Sequence, residues 1–119
     1  MPELPEVETI VRKLRPHLVN RRIVDVQVLW ARTVDRPNLP DFRRTLTGTT
    51  ITGLRRRGKF IVFALSTGHV MLVHLRMSGK FKLWSPEEGP GDHEHTRLRM
   101  ELDDGAWLEF INQRKFGRF

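Results

Sequence analysis

A chain of 119 residues with 39% hydrophobic and 29% charged side chains has room for one modest core, and that mixture argues against disorder. Lysine and arginine number 21 against 14 aspartate and glutamate, a formal charge of +7 that suits a polyanion, because each neutralised phosphate releases counterions. Cysteine is absent, which excludes disulfides, thiolate nucleophiles and Cys-ligated zinc within this chain; with no signal-like start and no long apolar run, a cytoplasmic protein with no membrane partner is expected.

Leu4, Val7, Ile10, Val11, Leu14 and Leu18 recur at three- and four-residue spacing, the mark of an amphipathic helix. Glu3, Glu6 and Glu8 precede Arg12, Lys13 and Arg15, an order that suits the helix dipole, and Pro16 is expected to kink or end the helix. From Arg22 the period becomes two: Val24, Val26, Val28 and Trp30 share one face of a half-buried strand, with Asp25 and Gln27 on the other. Pro37 and Pro40 mark a loop, and residues 41–46 form a short helix ended by Gly48. Strands follow at about 50–56, 59–65, 70–75, 80–84, 95–102 and 107–111, with hairpin turns at 66–68 and 103–105 and a loop at 85–92. The predicted fold class is α+β: an antiparallel β-sandwich of about seven or eight strands, flanked by the N-terminal amphipathic helix on one edge and the second short helix. Neither an internal repeat nor a second domain is visible. The basic, aromatic stretch 112–119 stops without a terminating signal, which reads as a truncation.

Several residues carry possible chemistry. A Met-Pro start is common and is ordinarily only an N-terminus. If methionine is removed, however, Pro2 exposes a secondary amine, and α-amines with pKa near ~8 are partly neutral and nucleophilic at cellular pH. Attack on a sugar C1′ gives an iminium with no N–H to lose, an electron sink that drives β-elimination of the 3′ phosphate. With Met1 retained, that nitrogen is an amide and cannot act. Glu3 and Glu6 stand one helical turn apart near the amine, suited to general-acid work or simply to the helix N-terminus. Lys59 follows three arginines and Gly58 at the start of a strand, as a phosphate clamp, a proton donor or a solvated lysine. Met77, apolar within a Ser-Gly turn, suits a wedge between bases or core packing. His93 and His95, two apart with no cysteine, match no common zinc spacing, so no metal is expected and phosphate contact is the better reading. Arg114 and Phe116 pair a base-edge reader with a stackable ring.

Taken in order, these residues match one family. Pro2-Glu3-Leu4-Pro5-Glu6-Val7-Glu8-Thr9 resembles the N-terminal signature of formamidopyrimidine-DNA glycosylases, with Leu4 where the endonuclease VIII branch typically has Gly. His74-Leu75-Arg76-Met77-Ser78-Gly79 resembles the family's His-Leu-x-Met-Ser-Gly turn, and Arg114-Lys115-Phe116-Gly117 its Arg-Arg-Phe-Gly. The resemblance spans the chain, making residues 1–119 an N-terminal catalytic domain. It implies Pro2 as Schiff-base nucleophile, Glu3 as proton donor at the sugar, and Lys59 as proton donor linked to β-elimination near the phosphates. It implies DNA contacts from His74 and His93, and a trio of Met77, Arg114 and Phe116 filling the gap left by a flipped nucleotide, Arg114 facing the orphaned base. The implied partner is double-stranded DNA carrying oxidised purines or abasic sites, bound by a monomer. No cofactor is implied in this chain; the family's zinc belongs to a C-terminal hairpin that, with its helix–two-turn–helix module, would follow Phe119.

Two departures stand out: Asn112-Gln113 replaces the family's Asp-Pro, and Lys115 replaces an arginine, keeping charge but losing a bidentate fork. Two other classes of function remain open from the residues. One is a non-catalytic basic β-module that only binds nucleic acid through 55–59 and 114–118. The other is a structural or protein-interaction domain, for which no salt-dependent DNA binding is expected.

Overall fold

The computed structural model describes residues 4–29, 39–75, 79–90 and 95–112, apart from the side chains of Leu4, Leu39 and Pro40. Helix α1 spans Leu4–Leu18, and its Val7, Val11, Leu14 and Leu18 are buried. Pro16 lies inside it and does not end it. Pro16 and Arg12, whose carbonyl the proline cannot serve, both lie on the exposed face, so water can solvate the orphaned group while the helix runs to Leu18. Asn20 follows with φ of 74° and donates its amide to the Ile51 carbonyl at 2.7 Å.

Strand β1 (Ile23–Val28) departs from the expected alternation. A bulge between Ile23 and Asp25 turns Val24 outward, 42% exposed, while Ile23 and Val26 both reach the core. One extra residue on one side of a ladder shifts the inward positions by one. Asp25 and Gln27 do lie opposite Val26 as expected, and Trp30 falls outside the described residues. Helix α2 (Leu39–Leu46) buries Phe42 and Leu46. It is left at Gly48, whose φ of 89° suits glycine and whose amide bonds the Ile23 carbonyl at 2.7 Å.

The remaining strands are β2 (Ile51–Arg57), β3 (Phe60–Leu65), β4 (Val70–His74), β5 (Gly79–Trp84), β6 (Thr96–Leu102) and β7 (Trp107–Asn112). They form two antiparallel sheets, ordered β1-β6-β7-β5 and β2-β3-β4. Inward residues of both, among them Ile61, Phe63, Val73, Leu98, Met100, Leu108 and Phe110, make one core with α1 and α2. Residues 20–23 join the sheets at a corner: Ile51 donates to the Arg21 carbonyl, Ile23 to the Thr49 carbonyl, and Asp103 to the Arg22 carbonyl.

Helix α1 covers the edge strand β2, as expected for the first helix. Arg15 Nε donates to the Leu54 carbonyl at 2.9 Å, and Arg56 Nε donates to Glu8 Oε2 at 3.2 Å. A strand edge left with unpaired backbone groups invites pairing with another chain; the helix and its arginine occupy it.

Candidate nucleic-acid interface

The described residues that flank the sequence motifs meet at one end of the sandwich, and the strand register shows how. Lys59 is half-buried in the Gly58-Lys59 turn between β2 and β3, one residue before the strand rather than at its start. Gly58, with φ of 60°, receives Arg56 Nη1 on its carbonyl at 3.1 Å. The same Arg56 holds Glu8, so the Lys59 turn is tied to the N-terminal half of α1. Pro2 and Glu3, immediately before Leu4, lie outside the described residues; Glu6 is exposed on the first turn of the helix.

His74 closes β4 opposite Phe60, so it stands beside the Lys59 turn. From there Leu75 turns inward, and the Gly79 amide returns to the Leu75 carbonyl at 2.9 Å. A Cβ on Gly79 would overlap that carbonyl oxygen, so the glycine of the His-Leu-x-Met-Ser-Gly pattern is dictated by close approach. Met77 lies in the enclosed stretch 76–78, outside the described residues.

Gly79 pairs with Asn112, the buried last residue of β7. Asn112 donates its amide to the His95 carbonyl at 3.0 Å and accepts Arg97 Nε on its own carbonyl at 3.0 Å. Arg97 Nη2 lies 3.3 Å from His95 Nδ1. The roots of three segments therefore stand side by side: Leu75 and Gly79 bracket 76–78, His95 follows 91–94, and Asn112 precedes 113–119. His93, Arg114 and Phe116 sit in those segments and lie outside the described residues. The sequence does not mark Arg97 and Asn112 as structural partners; their bond sits beside the β6 bulge between Thr96 and Leu98. Among the described residues no three His, Cys, Asp or Glu side chains are grouped as for a metal ion, and no helix is long and apolar enough to cross a membrane.

A helix whose start and a basic turn share one end of a sandwich with three loop roots defines a class of domain. The Formamidopyrimidine-DNA glycosylase N-terminal domain family matches residues 1–119, and the chain belongs to this family. The formamidopyrimidine-DNA glycosylase of Enterococcus faecalis is 41% identical over 118 residues, covering 99% of this chain and 41% of that protein. That of Bacillus subtilis is 42% identical over 118 residues, covering 98% and 42%. The Lactococcus lactis enzyme, solved non-covalently bound to DNA containing an AP site, superposes with a TM-score of 0.90 at 34% identity, covering 98% of this chain and 44% of that one. The same enzyme complexed with Fapy-dG-containing DNA gives 0.89 at 34% identity. The chain thus spans about two-fifths of the length of the curated relatives it matches.

Proposed function

We propose that residues 1–119 form the catalytic domain of a bifunctional base-excision enzyme, a DNA glycosylase and AP lyase. Its substrates are oxidised purines, 8-oxoguanine and formamidopyrimidines, in double-stranded DNA. The observation that carries this reading is the meeting, at one end of the sandwich, of the helix that begins just after Pro2 with the Lys59 turn and the roots of three loops. Family membership over the whole chain supports it, as do the solved relatives bound to AP-site and Fapy-dG DNA.

In this mechanism the amine of Pro2, freed by methionine removal, attacks C1′ of the damaged nucleotide while Glu3 protonates the sugar ring oxygen. The bond from C1′ to the base breaks as the amine proton passes to the base. The C1′–O4′ bond opens as the ring oxygen takes the Glu3 proton, and the Pro2 nitrogen is left as a cationic iminium. Loss of a C2′ proton then sends an electron pair toward the iminium and breaks the C3′–O bond, releasing the 3′ phosphate. Lys59 stands at the phosphates and supplies a proton in that elimination. His74 and His93 hold phosphates, and Met77, Arg114 and Phe116 fill the vacated stack, offsetting part of the few kcal/mol that base extrusion costs. None of these steps calls on a metal. The domain acts as a monomer on cytoplasmic DNA.

Borohydride trapping of the methionine-processed chain on a duplex with one abasic site tests the proposal. A covalent adduct mapped to Pro2, absent in Pro2→Gly, is the expected result. An adduct of equal yield in Pro2→Gly removes Pro2 as the sole nucleophile. No adduct with salt-dependent DNA binding intact leaves a nucleic-acid-binding module.

A further inference from the structure

Residues 42–86 contain nine Lys or Arg and no Asp or Glu, so the whole β2-β3-β4 sheet is built from a segment without a carboxylate side chain. The outward positions of β3 and β4 are mostly apolar, with Val62 among them itself buried, and those of β2 carry Arg55 and Arg57. Register places Arg57 beside Phe60 and Arg55 beside Val62 on one side, and Leu72 beside Val62 and Val70 beside Ala64 on the other. Phe60, Leu72 and Val70 are 42%, 45% and 53% exposed. These side chains stand in register on a regular strand pair rather than as a scatter of single residues. Arg55 and Arg57 are exposed, and among the described residues neither side chain makes an ion pair or hydrogen bond. Phe60 also meets the His74 ring edge-on at a centroid distance of 5.1 Å, so the face is continuous with the end of the sandwich that holds the Lys59 turn.

We propose that this outer face is a second nucleic-acid surface, suited to single-stranded DNA, whose bases stack on Phe60 and whose phosphates follow Arg55 and Arg57. The chemistry selects the occupant. A polyanion answers two arginines that have no ion pair among the described residues, on a sheet with no carboxylate of its own. An apolar partner is needed to cover Phe60 and Leu72. A duplex hides its base faces in the stack, whereas a single strand presents phosphates and base faces together. The proposed surface goes beyond the proposed excision reaction, which takes a duplex.

The test is fluorescence anisotropy of a labelled oligothymidylate of about 12 nucleotides, within the usual site size of a single-strand-binding module. Phe60→Ala weakens binding roughly tenfold, the usual loss for one stacked base, and Phe60→Tyr restores it, which separates lost stacking from a damaged fold. Arg55→Gln with Arg57→Gln flattens the dependence of log affinity on log salt by about 1.4, two phosphates at about 0.7 each. Borohydride trapping on the abasic duplex is measured in parallel at saturating chain, and its rate stays within about twofold of the parent in all three variants. The proposal falls if the parent does not bind the single strand, or if Phe60→Ala binds it as tightly as the parent. It falls equally if Phe60→Ala loses the duplex adduct in step with single-strand binding, because the face then belongs to the lesion site. Failure of the parent to form any adduct overturns the excision mechanism and leaves the anisotropy result standing.

Discussion

Glu109 lies on the outward face of its sheet, in the cross-strand row Gln27, Arg99, Glu109, Lys82, yet it is 0% exposed. Trp84 Nε1 donates to its Oε1 at 2.7 Å, and Arg99 Nε lies 3.4 Å from Oε2 in an ion pair whose angle falls short of a hydrogen bond. Nothing in Trp107-Leu108-Glu109-Phe110 distinguishes this glutamate from a solvated one; its burial comes from side chains on two neighbouring strands. Glu109→Ala, which strands a buried indole N–H and a largely buried guanidinium, lowers unfolding stability by about 3 kcal/mol in urea titrations. Glu109→Gln keeps an acceptor for Trp84 and costs less than half as much; equal losses would place the energy in the charge rather than the hydrogen bond. Gly79 is the opposite case, a residue legible as a motif letter but not as a constraint. Gly79→Ala pushes the Leu75 carbonyl away and displaces the two residues that flank 76–78, so on the proposed mechanism base excision falls at least tenfold while cleavage of a preformed abasic site falls less. Matched losses on the two substrates would argue against a gap-filling role for Met77, and the same comparison applies to Met77→Ala and Phe116→Ala.

Elements were far more legible than their partners. The three-and-four spacing from Leu4 to Leu18 and the alternation within β6 give α1 and β6 almost to the residue, because each buries a single face. The β1 bulge was not legible: Ile23, Val24, Val26 and Val28 are all apolar, and only pairing with β6 decides which of them faces inward. The match of α1 to β2 likewise rests on Arg15 and Arg56, two members of a basic composition that sequence alone assigns to solvent. Arg15→Met keeps the apolar stem and removes the bond to the Leu54 carbonyl, costing about 1 kcal/mol and raising hydrogen exchange along β2. In the segment 85–90, Glu88 Oε1 accepts the Ser85 amide at 2.8 Å, and the Glu88 amide donates to Ser85 Oγ at 3.3 Å. The backbone bond from Ser85, then its hydroxyl, holds the Glu88 carboxyl below its ordinary value of 4.5. A depressed folded pKa means the contribution is present above the unfolded value and is lost as pH falls through the folded one. The Ser85 amide resonance accordingly titrates with a midpoint below 4.5, and a midpoint at or above it would show that the turn is not closed by the carboxylate.

For the whole molecule, charge and chemistry separate cleanly. The net charge of +7 and the carboxylate-free stretch 42–86 act on every phosphate within a Debye length, whereas covalent capture by the proposed mechanism depends on one neutral amine. Release of counterions enters the binding equilibrium and not the attack of an amine on C1′. Raising salt from about 50 to 200 mM should therefore raise the concentration of chain needed for half-maximal borohydride trapping on an abasic duplex. Contacts to three phosphates give a log–log slope near −2.7, or a loss of roughly fortyfold over that range. The trapping rate at saturating chain should stay constant across the same range. A saturating rate that fell with salt would mean that phosphate contacts, Lys59 and His74 foremost, hold the sugar in position for attack rather than merely holding the duplex. A half-saturation point indifferent to salt would mean that the basic surface takes no part in binding the abasic duplex.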